Sequence, residues 1–524
     1  MMKPAVLPVL GLGPLAHPLA ATHDLVARCS NLASTLLLPN TTILFTELVP
    51  GNTTLFFPDN DPSCNRPSQA IPVDLCRVVT SVSTVTAIST GSISLEAWLP
   101  LNWNGRFLGT GNGGLNGCIQ YEDVAYGTSR GFATVGSNNG HNGTSGAPFL
   151  GSPAAVEDYV RRSLHLSAVL GKLVVAGFYG QAQTRSYYIG CSGGGRQGLR
   201  EAQEFPGDFD GIVVGAPAVA FGNLTSWRGS FYVRAGEPGD DRFLTNEQWG
   251  LVTDHVLAQC DGLDGYVDGV VEAPDQCLYR PDGLLCEDGG ESNTDCLTEA
   301  QLATVRDVFS DFHGEDGSLI FPRMPPGADP AVLSNGLPFQ YSVDWFRYVL
   351  HQDPTWDPRS IGQDDYALSA SLDPYSVQTW RGDLSAARDH GVKILHYHGL
   401  RDPLITSENS RRYYEHVSRT MGLTNDEMDG FYRYFRVAGM NHCAGGPGAV
   451  RIGNRADNVD GWEPEGNVLS AVVRWVEDGV APETIGGTGS DEAGVFARRH
   501  CRYPLRNRYK GEGNPRVTES WECV

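Results

Sequence analysis

A serine flanked by glycines is the strongest chemical signal in the chain. Ser192 lies in the segment G-C-S-G-G, between a predicted strand, Ser186–Ile189, and a helical pattern over Arg196–Phe205. This G-x-S-x-G pattern indicates a nucleophile in a strained turn, where side chains at Gly190 or Gly194 would collide with the crossing elements. The N-terminus of the helix would stabilise negative charge that develops beside the serine. We predict a nucleophilic serine; a glycine-rich turn without chemistry is the alternative.

Two downstream residues could complete a catalytic triad. In α/β-hydrolases the order along the chain is serine, acid, histidine, and each partner follows a strand. Asp402 follows the predicted strand Val392–Tyr397, and His442 follows the predicted strand Phe431–Val437. We therefore predict that Asp402 orients His442, which takes the proton of Ser192. For the acid, an ordinary Asp-Pro turn is the alternative.

Two observations favour His442 over the other histidines as the base. The competing His396 and His398 precede the acid and lie in or beside a strand. In addition, Cys191 precedes the serine and Cys443 follows the histidine. A disulfide between these cysteines would hold nucleophile and base within hydrogen-bonding reach. Chance placement of two of the twelve cysteines is the alternative.

Acyl transfer also needs N–H donors aimed at the developing oxyanion. The backbone N–H of Gly193, directly after the nucleophile, is one predicted donor. The second is expected from the loop Gly109–Gly114, which follows the predicted strand Arg106–Leu108. Gly113 or Gly114 would serve, because the absence of a side chain lets the backbone approach the ester; a plain turn is the alternative. This chemistry requires no organic cofactor.

The composition restricts the partners and the compartment. A formal net charge of −22 repels phosphate backbones and anionic lipid surfaces, so we expect no nucleic-acid or membrane partner. The twelve cysteines include no C-x-x-C pair, which favours disulfides in an oxidising compartment over a zinc site. Residues 1–21 have the features of a signal peptide, so we expect secretion. Four N-x-S/T sequons would then accept glycans: Asn40, Asn52, Asn142 and Asn223.

The chain is long enough for a catalytic domain that is interrupted by an insertion. Short apolar runs alternate with helical patterns from about residue 90 to 220 and again from Val392, which predicts an α/β sheet in a catalytic domain made of residues 22–217 and 386–524. Residues 218–385 are rich in Asp, Gly and Pro and lack this rhythm. We predict that they form a lid domain inserted into the catalytic domain.

An acidic, glycine-rich loop lies within the predicted lid. Its carboxylates at Asp261, Asp264 and Asp268 are spaced by glycines, and hard oxygen ligands at this density suit Ca²⁺. The loop is not an EF-hand, because counting from Asp264 places Tyr266 third and Asp275 twelfth. We expect a structural ion that stabilises the lid, since nothing in the sequence connects this loop to the serine. An acidic turn without metal is the alternative.

Together these motifs resemble the tannase and feruloyl esterase family, and within it the fungal type B feruloyl (cinnamoyl) esterases. The resemblance covers nearly the whole mature chain and includes further segments: Gly111–Leu115, Val135–His141, Phe209–Gly211, Cys501–Pro504 and Trp521–Cys523. It implies an α/β-hydrolase core with a lid. It also implies a secreted enzyme that hydrolyses esters joining ferulic, p-coumaric or caffeic acid to plant cell-wall sugars.

The resemblance further implies six disulfides and a set of calcium ligands. The ligands would be the side chains of Asp261, Asp264 and Asp268 and the backbone carbonyls of Tyr266 and Val270. The implied disulfides are Cys29–Cys76, Cys64–Cys118, Cys191–Cys443, Cys260–Cys277, Cys286–Cys296 and Cys501–Cys523.

Three other functions remain as alternatives. A tannase acting on galloyl esters would share every catalytic residue and differ in the lid residues that contact the aromatic acid. A bacterial-type aromatic-diester hydrolase shares the serine motif. An inactive secreted module that binds carbohydrate or calcium belongs to a different class, and the complete set of catalytic residues argues against it. Metal-dependent hydrolysis is disfavoured because no H-E-x-x-H motif occurs, and the sequence selects no oligomeric state.

Overall fold

The structure, a computed structural model, describes residues 18–287 and 295–524, with side chains from residue 24 onward. Most of the predicted signal peptide, residues 1–21, lies outside the described residues. Within the part that is described, no helix is both long enough and apolar enough to cross a membrane.

Strands and helices alternate over most of the chain, as the sequence predicts. The strands of the described residues are β1 Thr41–Val49, β2 Thr53–Phe56, β3 Ser68–Ile71, β4 Leu75–Val85, β5 Thr90–Pro100, β6 Arg106–Thr110, β7 Ala133–Ser137, β8 Arg185–Cys191, β9 Gly211–Gly215, β10 Phe312–His313, β11 Leu319–Phe321, β12 Lys393–Gly399, β13 Tyr432–Val437, β14 Thr484–Asp491, β15 Gly494–Cys501, β16 Asn507–Tyr509 and β17 Trp521–Cys523. The α-helices are α1 Pro18–Thr35, α2 Tyr121–Ser129, α3 Pro153–Glu157, α4 Ser163–Tyr179, α5 Gly193–Glu204, α6 Phe221–Ala235, α7 Asn246–Cys260, α8 Glu299–Val308, α9 Gln340–Trp345, α10 Gln363–Leu372, α11 Ser385–Asp389, α12 Ser407–Met421, α13 Asn425–Met428 and α14 Val468–Asp478.

A mixed sheet of nine strands forms the centre of the molecule. Its strand order is β1-β4-β5-β7-β6-β8-β9-β12-β13. Pairs from β1 to β7 are antiparallel, and pairs from β7 through β6 to β13 are parallel. Parallel strands place their carboxyl ends at one edge of the sheet, where the loops after β6, β8, β12 and β13 meet. The loops that carry the predicted site residues are therefore neighbours.

Helices cover both faces of the parallel strands. Along β9, Ile212 and Val214 belong to the buried apolar cluster that includes residues of α4, α5 and α12. Val213, between them, belongs to the cluster that includes residues of α14. Because successive strand residues point to opposite faces, the two clusters lie on opposite sides of the sheet. The predicted α/β sheet is confirmed.

Helix α14 shows how local sequence sets an element that supports the sheet. The Asn467 side chain accepts a hydrogen bond from the Ser470 N–H, which caps the first turn. Gly479 adopts a left-handed conformation (φ 71°) and ends the helix at the predicted place. Val468, Leu469 and Val472 are buried, and the helix packs against β9 and β12.

The segment between β9 and β12 builds a second apolar core. It contains α6 to α11 and the short β10–β11 ribbon. Its buried side chains include Trp227, Trp249 and Trp345, which pack in one cluster with Phe149 and Tyr159 from the preceding segment. The lid boundaries 218–385 stay a prediction, since the cluster also includes these earlier residues.

All six disulfides that the resemblance implies are present. The largest sequence separation, 252 residues, belongs to Cys191–Cys443, and the smallest, 10 residues, to Cys286–Cys296. The other pairs are Cys29–Cys76, Cys64–Cys118, Cys260–Cys277 and Cys501–Cys523.

Candidate active site

Ser192 occupies a sharp turn between β8 and α5. Its backbone has φ 63° and ψ −119°, which is strained for a residue with a side chain. The Ser192 N–H donates to the Gly215 carbonyl at 2.9 Å, and its carbonyl accepts from the Ala218 N–H at 3.0 Å. A Cβ atom on Gly190 would lie 2.5 Å from the Tyr188 hydroxyl. The crowding that the sequence predicts around the turn is therefore observed.

Asp402 and His442 form a short hydrogen bond. His442 Nδ1 lies 2.7 Å from Asp402 Oδ2. Asp402 Oδ1 accepts from the N–H groups of Leu404 at 2.8 Å and Ile405 at 2.9 Å. Burial of Asp402 by itself raises its pKa, but the charge of His442 and the hydrogen bonds from His442 and His398 outweigh burial and hold that pKa well below the usual range. Asp402 is therefore ionised at neutral pH.

His398, which the sequence offered as another candidate for the base, is hydrogen-bonded to Asp402 instead. Its Nε2 is 3.1 Å from Asp402 Oδ2 and 2.9 Å from the Ile405 carbonyl, so this nitrogen carries the hydrogen. His398 Nδ1 lies 2.7 Å from the Ser410 hydroxyl, which is 2.9 Å from His396 Nε2. The sequence analysis missed this role; a histidine four residues before the acid, at the end of a strand, is the signal that could have suggested it.

Hydrogen bonds therefore continue from Asp402 into the protein interior. His396 Nδ1 lies 2.8 Å from the Tyr432 hydroxyl, which completes a chain through Ser410 and His398 to the acid. Burial, followed by the charge of His398, lowers the pKa of His396 well below its usual value. The hydroxyls of Tyr432 and Ser410 can each donate to an imidazole Nδ1, and each imidazole Nε2–H can donate onward, so the hydrogen bonds run in one direction from Tyr432 to Asp402. We call these four residues, Tyr432, His396, Ser410 and His398, the relay.

The Cys191–Cys443 disulfide joins the serine turn to the histidine loop. The Cα atoms of the two cysteines are 6.0 Å apart, and Ser192 and His442 line one cavity. The described structure contains no hydrogen bond between the Ser192 hydroxyl and His442. In enzymes without substrate this bond is often long and shortens when the complex forms.

The two predicted oxyanion loops lie against each other. A Cβ atom on Gly193 would be 3.3 Å from the Gly114 nitrogen and 3.0 Å from its carbonyl oxygen. Gly193 begins α5, and N–H groups of a first helical turn have no acceptor within the helix. The Asn112 N–H donates to Gln197 Oε1 at 3.0 Å, which ties the loop to α5. Gly114 therefore lies beside Gly193. Gly113 stands in more open space, because a Cβ atom there would have no neighbour closer than 3.8 Å.

The cavity at Ser192 has a volume of about 310 Å³ and two unlike sides. The side built by the sheet domain is polar and includes Arg66, Gln120, Glu122, Asp123, Asn454 and Arg455. The side built by the inserted segment carries Phe339, Tyr341 and Arg228, and Leu404 lies with them. The sequence analysis named none of these lining residues, because their common position depends on contacts between distant segments.

Two acids on the polar side differ in their partners. Glu122 forms an ion pair with Arg66 at 2.6 Å. Asp123 Oδ1 is buried without a hydrogen-bond partner in the described structure. Burial, followed by the charge of Glu122, raises the pKa of Asp123 to about 7. Asp123 is thus the acid of this cavity that can change its charge near neutral pH.

The acidic loop is rich in negative charge, and two of its acids, Asp261 and Asp264, are buried. Asp261 accepts from the Gly269 N–H at 2.7 Å, and Asp264 accepts from the Tyr266 N–H at 3.0 Å. Asp268 pairs with Arg498 at 2.6 Å. Burial, followed by the charges of Asp268 and Asp261, raises the pKa of Asp264 to about 6. Buried carboxylates with excess negative charge suit a hard cation.

The acidic loop also touches the loops of the acid and the base. Val270 packs in one small buried cluster with Leu400 and Ala438, which precede Asp402 and His442 by two and four residues. The sequence shows no connection between this loop and Ser192, and the contact with the loops of Asp402 and His442 is visible only in the three-dimensional packing.

One trio of the described residues has potential metal-ligating atoms that all lie within 4.8 Å of one another: His165, Glu201 and Asp208. The carboxylates of the acidic loop are more widely spaced than that. In the trio, His165 Nδ1 lies 2.7 Å from Asp208 Oδ2, and the His165 ring stacks on Phe205.

A strained serine turn after a parallel strand, with an acid and a histidine after later strands, defines an α/β-hydrolase. The family model "Tannase and feruloyl esterase" matches residues 76–327 and 342–524. The chain belongs to this family.

Known relatives extend over the whole chain. It is 47% identical to "Probable feruloyl esterase B-2" of Neosartorya fischeri over 100% of both chains. It is also 47% identical to the protein of the same name from Aspergillus terreus over 99% of both. The crystal structure of feruloyl esterase B from Aspergillus oryzae superimposes with a TM-score of 0.92 at 43% identity, covering 95% of this chain and 100% of that one. The tannin acyl hydrolase of Aspergillus niger, 21% identical with a TM-score of 0.75, shares the fold.

Proposed function

We propose that the protein is a secreted feruloyl esterase that releases ferulic, p-coumaric or caffeic acid from esters of plant cell-wall polysaccharides. The observation that carries this proposal is the strained Ser192 turn facing the bonded Asp402–His442 pair in a cavity with one aromatic side. Relatives named feruloyl esterase B, 47% identical over their full length, support it.

The geometry supports a two-step acyl transfer. Ser192 attacks the ester carbonyl while His442 takes its proton, and Asp402 holds the imidazole in the required tautomer. The Gly193 N–H and an N–H of Gly114 or Gly113 stabilise the oxyanion. His442 then gives this proton to the ester oxygen of the sugar as the carbon–oxygen bond breaks, so that the sugar leaves as an alcohol and an acyl-enzyme remains on the serine. Water activated by His442 releases the acid and restores the serine.

The unlike sides of the cavity suit the two parts of such an ester. Phe339 and Tyr341 offer flat apolar surface for the aromatic acid. The residues that the sheet domain contributes to the lining offer hydrogen-bonding groups for sugar hydroxyls, such as Gln120 and Asn454. An ester bond between the two parts would then lie at Ser192.

The test is hydrolysis of methyl caffeate, methyl ferulate and methyl gallate by the wild type and by Ser192→Ala. We expect turnover of the two cinnamates that the substitution abolishes, with Tm and circular dichroism confirming that the variant is folded. Preference for the gallate would assign the chain to the galloyl esterases instead. Absence of serine-dependent turnover of all three esters would refute an esterase.

We further propose that the acidic loop binds a structural Ca²⁺. The ligands would be the side chains of Asp261, Asp264 and Asp268 with the carbonyls of Tyr266 and Val270. The excess of buried negative charge supports a divalent cation there. Through the packing of Val270, the ion would also stabilise the loops that hold the acid and the base.

Chelation tests the calcium proposal. Saturation at 100 times the Kd would stabilise the fold by about 2.7 kcal/mol, so we expect chelation to lower Tm and added Ca²⁺ to restore it. Asp264→Asn should remove this response, whereas Asp316→Asn, at an exposed turn, should keep it. An unchanged Tm of the wild type after chelation would exclude the site.

In a eukaryotic secretory pathway, three of the four sequons could carry glycans. Asn40, Asn52 and Asn142 are exposed. Asn223 is half-buried, and its side chain donates to the Ile320 carbonyl at 2.8 Å. We expect peptide mapping of the secreted protein to find glycans at the first three sites and none at Asn223.

A further inference from the structure

Arg228 is a buried cation at the active-site cavity. It lies on α6, its side chain is 6% exposed, and it lines the cavity beside Phe339 and Tyr341. Among the described residues it forms no ion pair and no hydrogen bond, and its Nε is buried without an acceptor. Its guanidinium carbon lies 4.8 Å from the centroid of the Phe339 ring.

Two other buried arginines, Arg196 and Arg200, differ from Arg228 in their terminal nitrogens, which donate to the protein, although the Nε atoms of all three have no acceptor. Arg196 donates to the Val160 carbonyl at 3.0 Å and to the Tyr159 carbonyl at 3.3 Å. Arg200 donates to the carbonyls of Tyr375 and Ser376, between α10 and α11, and pairs with Glu204 at 3.0 Å. Burial lowers the pKa of Arg228 to about 10, so its side chain is charged at neutral pH. A buried charge without a partner is costly, and a protein retains one chiefly where a ligand will pair with it.

The residues around Arg228 indicate which chemical group pairs with its guanidinium. Tyr341 packs over the oxyanion loop, since a Cβ on Gly114 would lie 2.5 Å from its ring. The aromatic slot therefore begins next to the reacting carbonyl, with Phe339, Tyr341 and Leu404 on its walls. A guanidinium is a planar group of N–H donors without acceptor capacity. It matches oxygen atoms carried in the plane of an aromatic ring.

We infer that Arg228 donates hydrogen bonds to the oxygen substituents of the acyl ring, the phenolic hydroxyl and its methoxy neighbour; this inference rests on the proposed function. Arg228 then distinguishes oxygenated cinnamates from the bare ring. The protein leaves the guanidinium unpaired so that the substrate can supply the acceptor.

The test compares methyl 4-hydroxycinnamate with methyl cinnamate, which has no ring oxygen. For the wild type and Arg228→Met, kcat/KM is measured on both esters and expressed as a ratio. A hydrogen bond to a charged group corresponds to about 10- to 100-fold in rate, so we expect the ratio to fall by that factor in the variant. Arg234→Met is the matched control, because Arg234 lies on the same helix but pairs with Asp307 outside the cavity. Its ratio should equal that of the wild type.

A second readout separates ligand binding from structural support. Methionine removes a buried unpaired charge and keeps the volume, so Arg228→Met should have a Tm equal to or above that of the wild type. A lower Tm together with an unchanged ratio would overturn the inference. If the methionine variant does not fold, Arg228→Gln is measured on the same pair of esters.

Each outcome distinguishes this inference from the proposed function. Equal losses on both esters in Arg228→Met refute the role of Arg228 and leave the esterase proposal standing. A wild type that cleaves 4-nitrophenyl acetate through Ser192 but neither cinnamate refutes both proposals. A selective loss on the hydroxylated ester supports both.

Discussion

Asp402 and Arg228 are both buried charges at the active site, but their partners differ completely. Both oxygens of Asp402 are bonded, to His442, His398 and two backbone N–H groups. The guanidinium of Arg228 has no hydrogen-bond or ion-pair partner among the described residues. The acid acts on a side chain that is always present, so the protein can complete its surroundings in advance. Arg228 acts on a substrate, so its partner arrives only with the ligand.

The surroundings of the two residues match this division. Asp402 follows β12, which lies between β9 and β13 in the parallel part of the sheet, and the relay is hydrogen-bonded to it. Arg228 lies on the inserted segment, whose aromatic side chains form the opposite wall of the cavity. Prearranged chemistry thus belongs to the sheet, and recognition of the aromatic acid belongs to the insertion.

The largest predicted effect comes from removing the charge of Asp402. Asp402→Asn should lower kcat about 10⁴-fold, because the amide would hold His442 in the wrong tautomer. Steady-state kinetics with methyl ferulate measures this. Asp429→Asn is the matched control, since Asp429 is also buried but pairs with Arg502 outside the cavity. A loss below 10-fold for Asp402→Asn would show that the prearranged acid is not required.

The next effect tests whether the disulfide beside the serine belongs to the prearranged part. In the chain-entropy model, removing Cys191–Cys443 with its 252-residue separation costs about 5 kcal/mol, and it should also lower kcat by loosening nucleophile and base. Removing Cys286–Cys296, with a separation of 10, should cost about 3 kcal/mol and leave kcat unchanged. Denaturant unfolding and kinetics of the two double alanine variants provide the comparison. Equal kcat values in both would contradict a role in positioning.

A smaller effect is expected from the relay. His398→Leu leaves Asp402 Oδ2 with one partner fewer and should lower kcat about 10-fold, with a loss of about 1–3 kcal/mol in stability. His398→Gln retains an N–H donor and should recover part of kcat. If leucine and glutamine give the same kcat, the hydrogen bond to Asp402 contributes nothing to the reaction.

The last effect is on stability and its pH dependence, and it concerns Asp123, the acid of the cavity whose Oδ1 has no hydrogen-bond partner. Its folded-state pKa of about 7 lies above its unfolded value, so its neutral form favours folding at low pH and this contribution is lost as pH rises from about 4 to 7. Asp123→Asn should therefore gain stability over the wild type between pH 5 and pH 8, by roughly 2–3 kcal/mol. Asp59→Asn, at an exposed position, should show no such change. Thermal unfolding of both proteins at pH 5 and pH 8 measures this difference. If the stabilities of the wild type and Asp123→Asn change in parallel, Asp123 is ionised over the whole pH range.

The strands and helices that carry the triad were predictable because their signals are local. The predicted strand Ser186–Ile189 is the centre of β8, and the predicted strand Val392–Tyr397 overlaps β12. Helix α5 begins at Gly193, three residues before the predicted start. The first turn consists of glycines, which have no side chains, so the spacing of apolar residues could not reveal it.

The sequence by itself was enough to predict Ser192, Asp402 and His442 as nucleophile, acid and base, because each stands in a short strand-and-turn context of characteristic residues. Only the tertiary structure decided that His398 supports the acid and that Val270 packs beside the catalytic loops. It also decided that Arg228 is left without a partner. Local propensity acts over a few residues, whereas the pairing of a buried charge depends on segments that are distant along the chain and meet only when the sheet and the insertion pack together.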